Sequence, residues 1–491
     1  MFSLGIHYLN GWAMATHPSS RERAEWPPHP DRVFMALVAA SMETDGGEDE
    51  AAALEWLETL GPPTIFHSAA TDRTPVTTFV PINDERSPMK KGKALMPSGS
   101  MPIGRDRQPR QFPLALPETP FVHLLWKDAA PPHDVATALG GLAAKVTSVG
   151  HSASLVQMWV SQEEPKTLEP KLRELVPRES GAQHRLRVFG PGRLRHLRDR
   201  FATGLRPTPS LWEGYGPPPQ AVSRDPWPHS HFRSDLLILR QRKGRKFGIE
   251  STLILTEALR GAVMSGCPMQ PPPEWISGHQ PDGRPSQRER GHIAFLPLPF
   301  VGRKHATGHL LGLALAVPED IPDAEQAACF APLFFNLDPE TGEYKPFKLW
   351  VGKFGEMELQ VDEGSEERQA LRSETWTRPA KRWATVTPIA LDRHAKSSQG
   401  TDEIAASIAD GCVRVGLPRP IDVIPTAVSL FEGVPVNRDM PRIRRRRDDG
   451  LIRQTHAIMT FPSEVVGPVL VGAGRYRGYG FCRPLPEEHE L

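Results

Sequence analysis

Residues 292–317 have the sequence HIAFLPLPFVGRKHATGHLLGLALAV, in which two apolar runs flank a short polar segment. Both runs, 292–300 and 309–317, have the length of a buried strand and are too short to cross a membrane as helices. The segment between them contains two glycines and three basic or histidine side chains, which is typical of a surface turn. The stretch therefore predicts a β-hairpin in the core of a mixed domain.

Elements of alternating type surround this hairpin and complete a β-α-β-β-α-β order. A strand and a helix precede it, and a helix and further strands follow it, at 234–241, 249–265, 321–333 and 345–360. Gly266 suits the end of the first of these helices. The order predicts a ferredoxin-like unit, in which both helices cover one face of an antiparallel sheet.

Two more units of the same kind are predicted on either side. The last part of the chain has strands at 383–391, 421–428, 456–461 and 480–485 and a helix at 403–416. The first half has strands at 2–14, 76–82, 121–126 and 154–160, a helix that begins at Asp31, and another helix at 134–147. The predicted class is α+β, with tandem ferredoxin-like (RRM-like) domains, one in the N-terminal half and two in the C-terminal half.

A proline-rich stretch, 203–231, has few periodic apolar positions and is predicted to be a linker. It divides the chain into 1–230 and 231–491, and the second part into about 231–375 and 376–491. This division agrees with the 491-residue length, which predicts two to four domains.

Composition limits the class of protein. The chain is 39 % hydrophobic and 24 % charged, and its four cysteines, Cys267, Cys329, Cys412 and Cys482, lie far apart. These values fit a reduced globular protein without a zinc knuckle. The first residues, MFSLGIHYLN, lack the basic start of a signal peptide, so a cytoplasmic protein without membrane segments is expected.

Positive charge is concentrated although the net charge is only +1. Residues 185–246 contain 14 basic and 4 acidic side chains, and a second run comprises Arg444, Arg445, Arg446 and Arg447. Arginine suits phosphate recognition because its planar guanidinium donates in a fork. The distribution predicts a polyanionic partner.

The segment VGAGRYRGYGF (471–481) contains Gly472, Gly474, Gly478 and Gly480. Its glycine spacing does not match the dinucleotide fingerprint, and no Lys-Ser or Lys-Thr pair follows as in a nucleotide-triphosphate loop. No cofactor is therefore expected. We predict instead that this glycine loop holds an RNA backbone, with Arg475 and Arg477 neutralising phosphate and with Tyr476 and Tyr479 stacking on bases.

Four stretches carry a resemblance to a known family. They are WPPHPDRVFMALVAA (26–40), GHIAFLPLPFVGRKHATGHLLGLALAVP (291–318), RWATVTPIALDRH (382–394) and VGAGRYRGYGF. Together they resemble the GSU0054-like subunit of type I-G (formerly I-U) CRISPR systems. That subunit belongs to the repeat-associated RNA-binding superfamily and fuses a Cas-five-like half to a Cas-six-like half.

The resemblance implies a function for each half. The first half would bind the 5′ handle of the CRISPR RNA (crRNA), and the second would cut precursor crRNA within its repeats. The cut would need no metal and would leave a 2′,3′-cyclic phosphate. The implied partners are precursor and mature crRNA, the backbone and large subunits of the Cascade complex, and target DNA through that complex. The alternative is a structural crRNA-binding subunit without catalysis.

The family's catalytic histidine commonly lies before the second strand of the nuclease half. That position makes His279 the first candidate and His292 the second. His305, beside Lys304 as a possible charge stabiliser, is the third. The general acid would be a second histidine or solvent. The His305 and His309 pair lies in a predicted hairpin rather than on a helix, so no metal site is expected.

Overall fold

The computed structural model describes the chain except residues 74–76, 82–88, 91–92, 95–106, 164, 166–171, 179–183, 219–226, 363–367, 393–399, 445–449 and 487–491. The chain forms two compact units. Unit 1 comprises Met1–Pro218 and Asp338–Glu343, and unit 2 comprises Pro219–Leu337 and Tyr344–Leu491. No helix in the described part of the chain is both long and apolar enough to span a bilayer.

Unit 1 begins with a strand, two helices and an arm of short strands. These elements are β1 (Phe2–Tyr8), α1 (Pro30–Glu43), α2 (Glu48–Glu58), β2 (Thr64–His67), β3 (Ala70–Arg73), β4 (Thr77–Pro81), β5 (Met89–Lys90), β6 (Lys93–Ala94), β7 (Arg107–Gln111) and β8 (Leu114–Pro117). The remaining elements are β9 (Phe121–Trp126), α3 (His133–Lys145), β10 (Val156–Ser161), β11 (Arg173–Pro177), β12 (His184–Val188), α4 (Arg193–Ala202) and β13 (Leu211–Gly216).

The main sheet of unit 1 has seven strands in the order β10-β1-β9-β2-β11-β13-β12. In β1, Leu4 and Ile6 are fully or almost fully buried against the helices, because alternate side chains of a strand point to one face. The apolar stripe of α1, including Val33 and Leu37, packs on the same core. The strands predicted at 2–14, 121–126 and 154–160 lie in this sheet as β1, β9 and β10. The strand predicted at 76–82 does not, because β4 pairs with β7 outside the sheet and β2 takes the place beside β9.

The linker prediction for this half was also wrong. Residues 211–216, inside the predicted linker, form β13, which pairs with both β11 and β12. Tyr215 of this strand is fully buried in the hydrophobic core of unit 1. Neighbouring prolines and glycines concealed this short strand, in which burial increases along its length and does not alternate. Residues 219–226 of the same stretch lie outside the described residues.

Unit 2 contains two sheets. Its first part comprises β14 (Leu237–Gly244), α5 (Thr252–Gly266), α6 (Glu274–Ser277), β15 (Ala294–Pro299), β16 (Leu310–Ala316), α7 (Asp323–Phe334), β17 (Phe347–Trp350), β18 (Glu356–Val361) and α8 (Glu374–Thr377). Its second part comprises β19 (Ala380–Thr385), β20 (Ile389–Ala390), α9 (Thr401–Arg414), β21 (Asp422–Thr426), β22 (Gln454–Val465) and β23 (Cys482–Pro484).

The predicted hairpin is confirmed as β15 and β16, which pair antiparallel at one edge of a five-stranded sheet ordered β15-β16-β14-β18-β17. Helix α5 buries Leu255, Leu259 and Val263, which recur every four residues on one face. The second sheet has the order β20-β22-β19-β23, with β21 paired to β22. The mixture of helices and antiparallel sheets confirms the α+β class.

A loop connects β22 to β23 in the second sheet, as the sequence predicted. It comprises residues 466–481 and contains one short 3₁₀ turn at Arg475–Arg477. Its last part, 471–481, is the glycine loop, which packs against the first sheet of the same unit. A methyl group built on Gly478 would lie 2.8 Å from Pro297 Cδ. The loop therefore links the two sheets of unit 2.

Buried histidines make stability depend on pH. Burial lowers the pKa of His29 to about 3 and that of His67, His123, His292 and His456 to about 4. An unfolded histidine has a pKa near 6.5, so the unfolded chain binds more protons than the folded chain between about pH 4 and 6.5. We expect the melting temperature to fall by roughly 10 °C between pH 7 and pH 5, measured by calorimetry.

His123→Phe provides the matched variant for this pH dependence. Neither ring nitrogen of His123 has a hydrogen-bond partner among the described residues, and the ring meets Trp159 edge to face at 5.8 Å. Phenylalanine keeps the ring contact and cannot titrate, so the variant should lose less stability on acidification. A melting temperature that stays constant from pH 7 to pH 5 would contradict the assignment of neutral buried histidines.

Candidate active site

A pocket of about 300 Å³ lies in unit 2 at the start of β15. It brings together the segment before β15, the C-terminal end of α9, the glycine loop and the segment before β14. Its lining includes His231, Arg288, His292, Arg414 and Tyr476. These side chains come from four separate segments of the sequence, so the pocket exists only in the folded unit.

The centre of the pocket is a stack of two rings. His292 and Tyr476 lie face to face, with centroids 3.7 Å apart and planes 26° from parallel. Arg475 covers Tyr476 at 4.6 Å from Cζ to the ring centroid, and Phe232 meets the tyrosine edge to face at 6.3 Å. The short turn of the glycine loop thus places Tyr476 against His292.

Two glycines allow this stack. Gly291 has φ +69°, and a methyl group built there would lie 2.1 Å from Tyr476 Oη. Gly278, also at φ +69°, would place a methyl group 2.9 Å from His292 Nε2. Both positions favour glycine for its backbone conformation as well as for space.

The protonation of His292 follows from its contacts. Its Nδ1 donates a hydrogen bond to the carbonyl oxygen of Ile293 at 3.0 Å, because a carbonyl can only accept. Nε2 is therefore the basic nitrogen of the neutral ring. The pKa of His292 is lowered to about 4, chiefly by burial and also by the positive charges of Arg260 and Arg475, whereas the Ile293 hydrogen bond acts in the opposite direction. The ring is neutral near pH 7 and can accept a proton.

Arginines surround the rings, and each is paired with a carboxylate. Arg288 binds Asp320 at 2.6 Å, and Arg290 contacts Glu319. Asp392 accepts Arg414 at 2.8 Å and lies 3.8 Å from Arg475. These pairs fix the guanidinium groups around the pocket and partly offset their charge.

His231 is a second histidine on the pocket wall. Its backbone N–H donates to Val415 O at 2.9 Å, which ties it to the end of α9. Burial lowers its pKa, as does Arg290, while Glu289 and Glu319 act in the opposite direction. The pocket therefore holds two imidazoles, one phenol and several guanidinium groups.

A comparison with protein families identifies the chain. The family model described as "CRISPR-associated protein, GSU0054 family" matches residues 5–484, which is nearly the whole sequence. The chain belongs to the GSU0054 family of CRISPR-associated proteins. A search of curated proteins found no match. Family membership confirms the resemblance inferred from the four sequence stretches.

The first catalytic candidate for this GSU0054-family chain, His279, lies on the loop that borders the pocket. Its Nδ1 donates to Ser277 O at 3.0 Å, and its backbone pairs with Pro285 in a small hairpin. The residue is not part of the pocket lining, which instead contains its neighbour Gly278. The second candidate, His292, occupies the centre.

The third candidate lies elsewhere. His305 and Lys304 are exposed on the turn between β15 and β16, at the opposite end of β15 from His292. His305 has φ +66°, and its backbone N–H donates to Glu432 at 3.0 Å. The fold therefore does not bring either residue to the pocket. Within the described residues, no three His, Cys, Asp or Glu side chains are grouped to hold a metal ion.

The glycines of the glycine loop approach the protein's own backbone. Methyl groups built on Gly472 and Gly480 would lie 2.3 Å from Ala390 O and 1.8 Å from Val471 O, and Gly474 faces the Tyr479 side chain at 2.6 Å. Several loop amides also donate within the loop, such as Arg477 N to Gly474 O at 2.9 Å. The spacing of these glycines thus has a packing cause.

The other side chains predicted to contact RNA differ in exposure and in location. Tyr479 is fully buried, so the expectation that it stacks on a base was wrong. Arg477 pairs with Glu257 at 3.2 Å on the surface of α5, away from the pocket lining. Arg444 is exposed, whereas Arg445, Arg446 and Arg447 lie outside the described residues.

Sequence reasoning missed several residues of the pocket. His231 lay at the end of the predicted linker, and Arg288, Arg290 and Arg414 were not singled out. The available signal was the run QRER (287–290), which places two arginines directly before His292. Nothing in the local sequence marked His231, because its role depends on contact with α9.

Proposed function

We propose that this CRISPR-associated protein is a metal-independent endoribonuclease that cuts precursor crRNA within its repeats at the pocket around His292. The observation that carries the proposal is the stack of His292 on Tyr476 inside a ring of arginines. These residue types suffice for 2′-OH attack on a phosphodiester, which needs a base, an acid and positive charge. His292 replaces His279 as the first choice of base, because it lines the pocket.

The proposed reaction assigns each proton. His292 Nε2 removes the proton of the ribose 2′-OH, and the 2′ oxygen forms a bond to phosphorus. The bond from phosphorus to the 5′ oxygen breaks, and the Tyr476 hydroxyl donates a proton to that oxygen, with His231 as the second candidate donor. The products are a 2′,3′-cyclic phosphate and a 5′-OH. Arg475 and Arg288 stabilise the charge on the phosphate oxygens.

The low pKa of His292 is compatible with this role. A phosphate that enters the pocket adds negative charge beside the imidazole and offsets the charges of Arg260 and Arg475. An opposite charge nearby favours the protonated form and raises the pKa. The base is thus neutral before RNA binds and strengthens once the substrate is in place.

The two units of the chain have different roles in the proposed complex with crRNA. We interpret the three antiparallel arrangements as ferredoxin-like units, and we propose that unit 1 binds the 5′ handle while unit 2 cuts. Backbone and large Cascade subunits are the proposed protein partners, and target DNA is reached through that complex. A non-catalytic crRNA-binding role is the second candidate, favoured by the carboxylate pairing of the pocket arginines.

Cleavage of its own repeat RNA tests the proposal. The full chain is incubated with labelled repeat RNA in excess EDTA, and the product ends are analysed. One cut with a 2′,3′-cyclic phosphate and a 5′-OH supports the enzyme. Tight binding of RNA that stays intact supports the structural role, and the absence of binding overturns both.

A further inference from the structure

A second cavity, of about 750 Å³, lies in unit 2 at the end of β15 opposite to His292. We call it the basic groove. Strand β15 separates it from the pocket by about 25 Å for the eight residues from His292 to Phe300. Its basic lining comes from four separate segments and comprises Arg242, Lys243, Lys246, Arg303, Arg368 and Arg483.

Among the described residues, the positive charge of the basic groove has no carboxylate partner. None of its lysine and arginine side chains forms an ion pair with a carboxylate among the described residues, and no acidic residue lines it. The pocket differs, because its arginines are paired with aspartate or glutamate. A concentration of positive charge without internal counter-charge attracts an external polyanion.

The deepest cation is held at the floor of the basic groove. Arg483 donates to Val301 O at 2.9 Å and lies over the Phe431 ring at 5.5 Å. Burial lowers the pKa of Arg483, and the nearby charges of Arg303 and Arg378 lower it further. This position desolvates a charge that has no anionic partner among the described residues, which is costly unless a ligand supplies one.

The basic groove is lined by two rings as well as by basic side chains. Phe300 and His309 line the basic groove with centroids 5.6 Å apart, and neither is fully buried. Alternation of cations with rings suits unpaired nucleotides, whose phosphates are neutralised while their bases stack. A duplex would offer its phosphates but not its base faces.

We propose that the basic groove binds a single-stranded segment of the RNA whose phosphodiester is cut at the pocket. The inference rests on the proposed function for the identity of the RNA. The basic groove at one end of β15 would bind the RNA, and the pocket at the other end would cut it. The basic groove therefore contributes to holding the RNA before and after the cut, and it does not touch the reacting atoms.

Arg303 and Lys304 supply a matched comparison. Both are exposed basic residues on the same turn, but only Arg303 lines the basic groove. The probe is repeat RNA with a 2′-deoxy sugar at the cleavage nucleotide, which cannot be cut. We expect Arg303→Ala combined with Arg368→Ala to weaken binding about tenfold or more, and to reduce the slope of log K against log salt by about 1.4 for two lost phosphate contacts. Lys304→Ala should change affinity less than twofold.

Further outcomes separate this inference from the proposed function. Single-turnover cleavage at saturating protein should be unchanged in the double variant, because the pocket is intact. The proposal for the basic groove would be overturned if the double variant and Lys304→Ala lost affinity equally, or if neither lost any. Either result would leave the proposed cleavage at the pocket standing. Unchanged binding after the unpaired segment of the probe is annealed to a complementary strand would also overturn the proposal for the basic groove.

Discussion

His292→Ala is expected to slow cleavage of repeat RNA by about 10³-fold while leaving RNA affinity within about twofold. General base catalysis contributes about 10²- to 10⁴-fold, and alanine removes the only group assigned to accept the 2′-OH proton. Affinity should persist because the arginines of the pocket and the cations of the basic groove are untouched. The measurement is single-turnover cleavage with saturating protein, together with a binding assay on uncuttable RNA.

Two matched variants accompany this measurement. His305→Ala changes an exposed histidine at the far end of β15, and it should cut at the normal rate. His279→Ala changes the neighbouring loop, and we expect less than a tenfold effect, since its ring is held by Ser277 O outside the pocket lining. If His279→Ala abolished cleavage and His292→Ala did not, the assignment of the base would be wrong.

Much of the fold follows from local sequence patterns. The hairpin of β15 and β16 and the helix α5 were predicted to within a few residues, because their apolar residues recur with the periods of strand and helix. Strand β13 was missed because it depends on pairing with strands on both sides, a non-local cause. The part of unit 1 formed by residues 338–343 is non-local too, since it is inserted between elements of unit 2.

The candidate site was less predictable, because its chemistry depends on long-range packing. His292 and Tyr476 are each ordinary residues in their local segments. Their ring stack arises where the glycine loop crosses the start of β15, and only the tertiary fold gives that crossing. The sequence interpretation gave the glycine loop the role of holding RNA and gave the cut to a histidine much earlier in the chain, whereas the fold stacks Tyr476 of that loop directly on the candidate His292.

The structure gives the glycines of the glycine loop a packing role. A glycine-rich segment with arginines predicts a phosphate cradle when only the sequence is considered. In the folded unit the same glycines let the loop approach Ala390 O, Val471 O and Pro297, which is also a reason for a residue without a side chain. Two physical causes produce the same residue pattern, so the pattern alone could not separate them.

Gly291→Ala should slow cleavage by about 10- to 100-fold through displacement of Tyr476. The added methyl group would lie 2.1 Å from Tyr476 Oη, so the phenol must move away from its place beside His292. A displacement of about 1 Å in a catalytic group can cost about 10²-fold in rate. Arg475, whose guanidinium lies over the same ring, should move with it.

Gly283→Ala is the control for backbone strain. Gly283 also has a positive φ, +82°, in the same segment of the chain, but a methyl group there would meet nothing within 4 Å. Both substitutions should therefore lower stability by a similar amount, about 1 kcal/mol, and only Gly291→Ala should impair cleavage. If Gly291 acts through Tyr476, then Gly291→Ala should add almost nothing to the defect of Tyr476→Ala, because the two changes remove one interaction. Additive losses in the double variant, or equal rates for the two glycine variants, would show that the position of Tyr476 does not control the reaction.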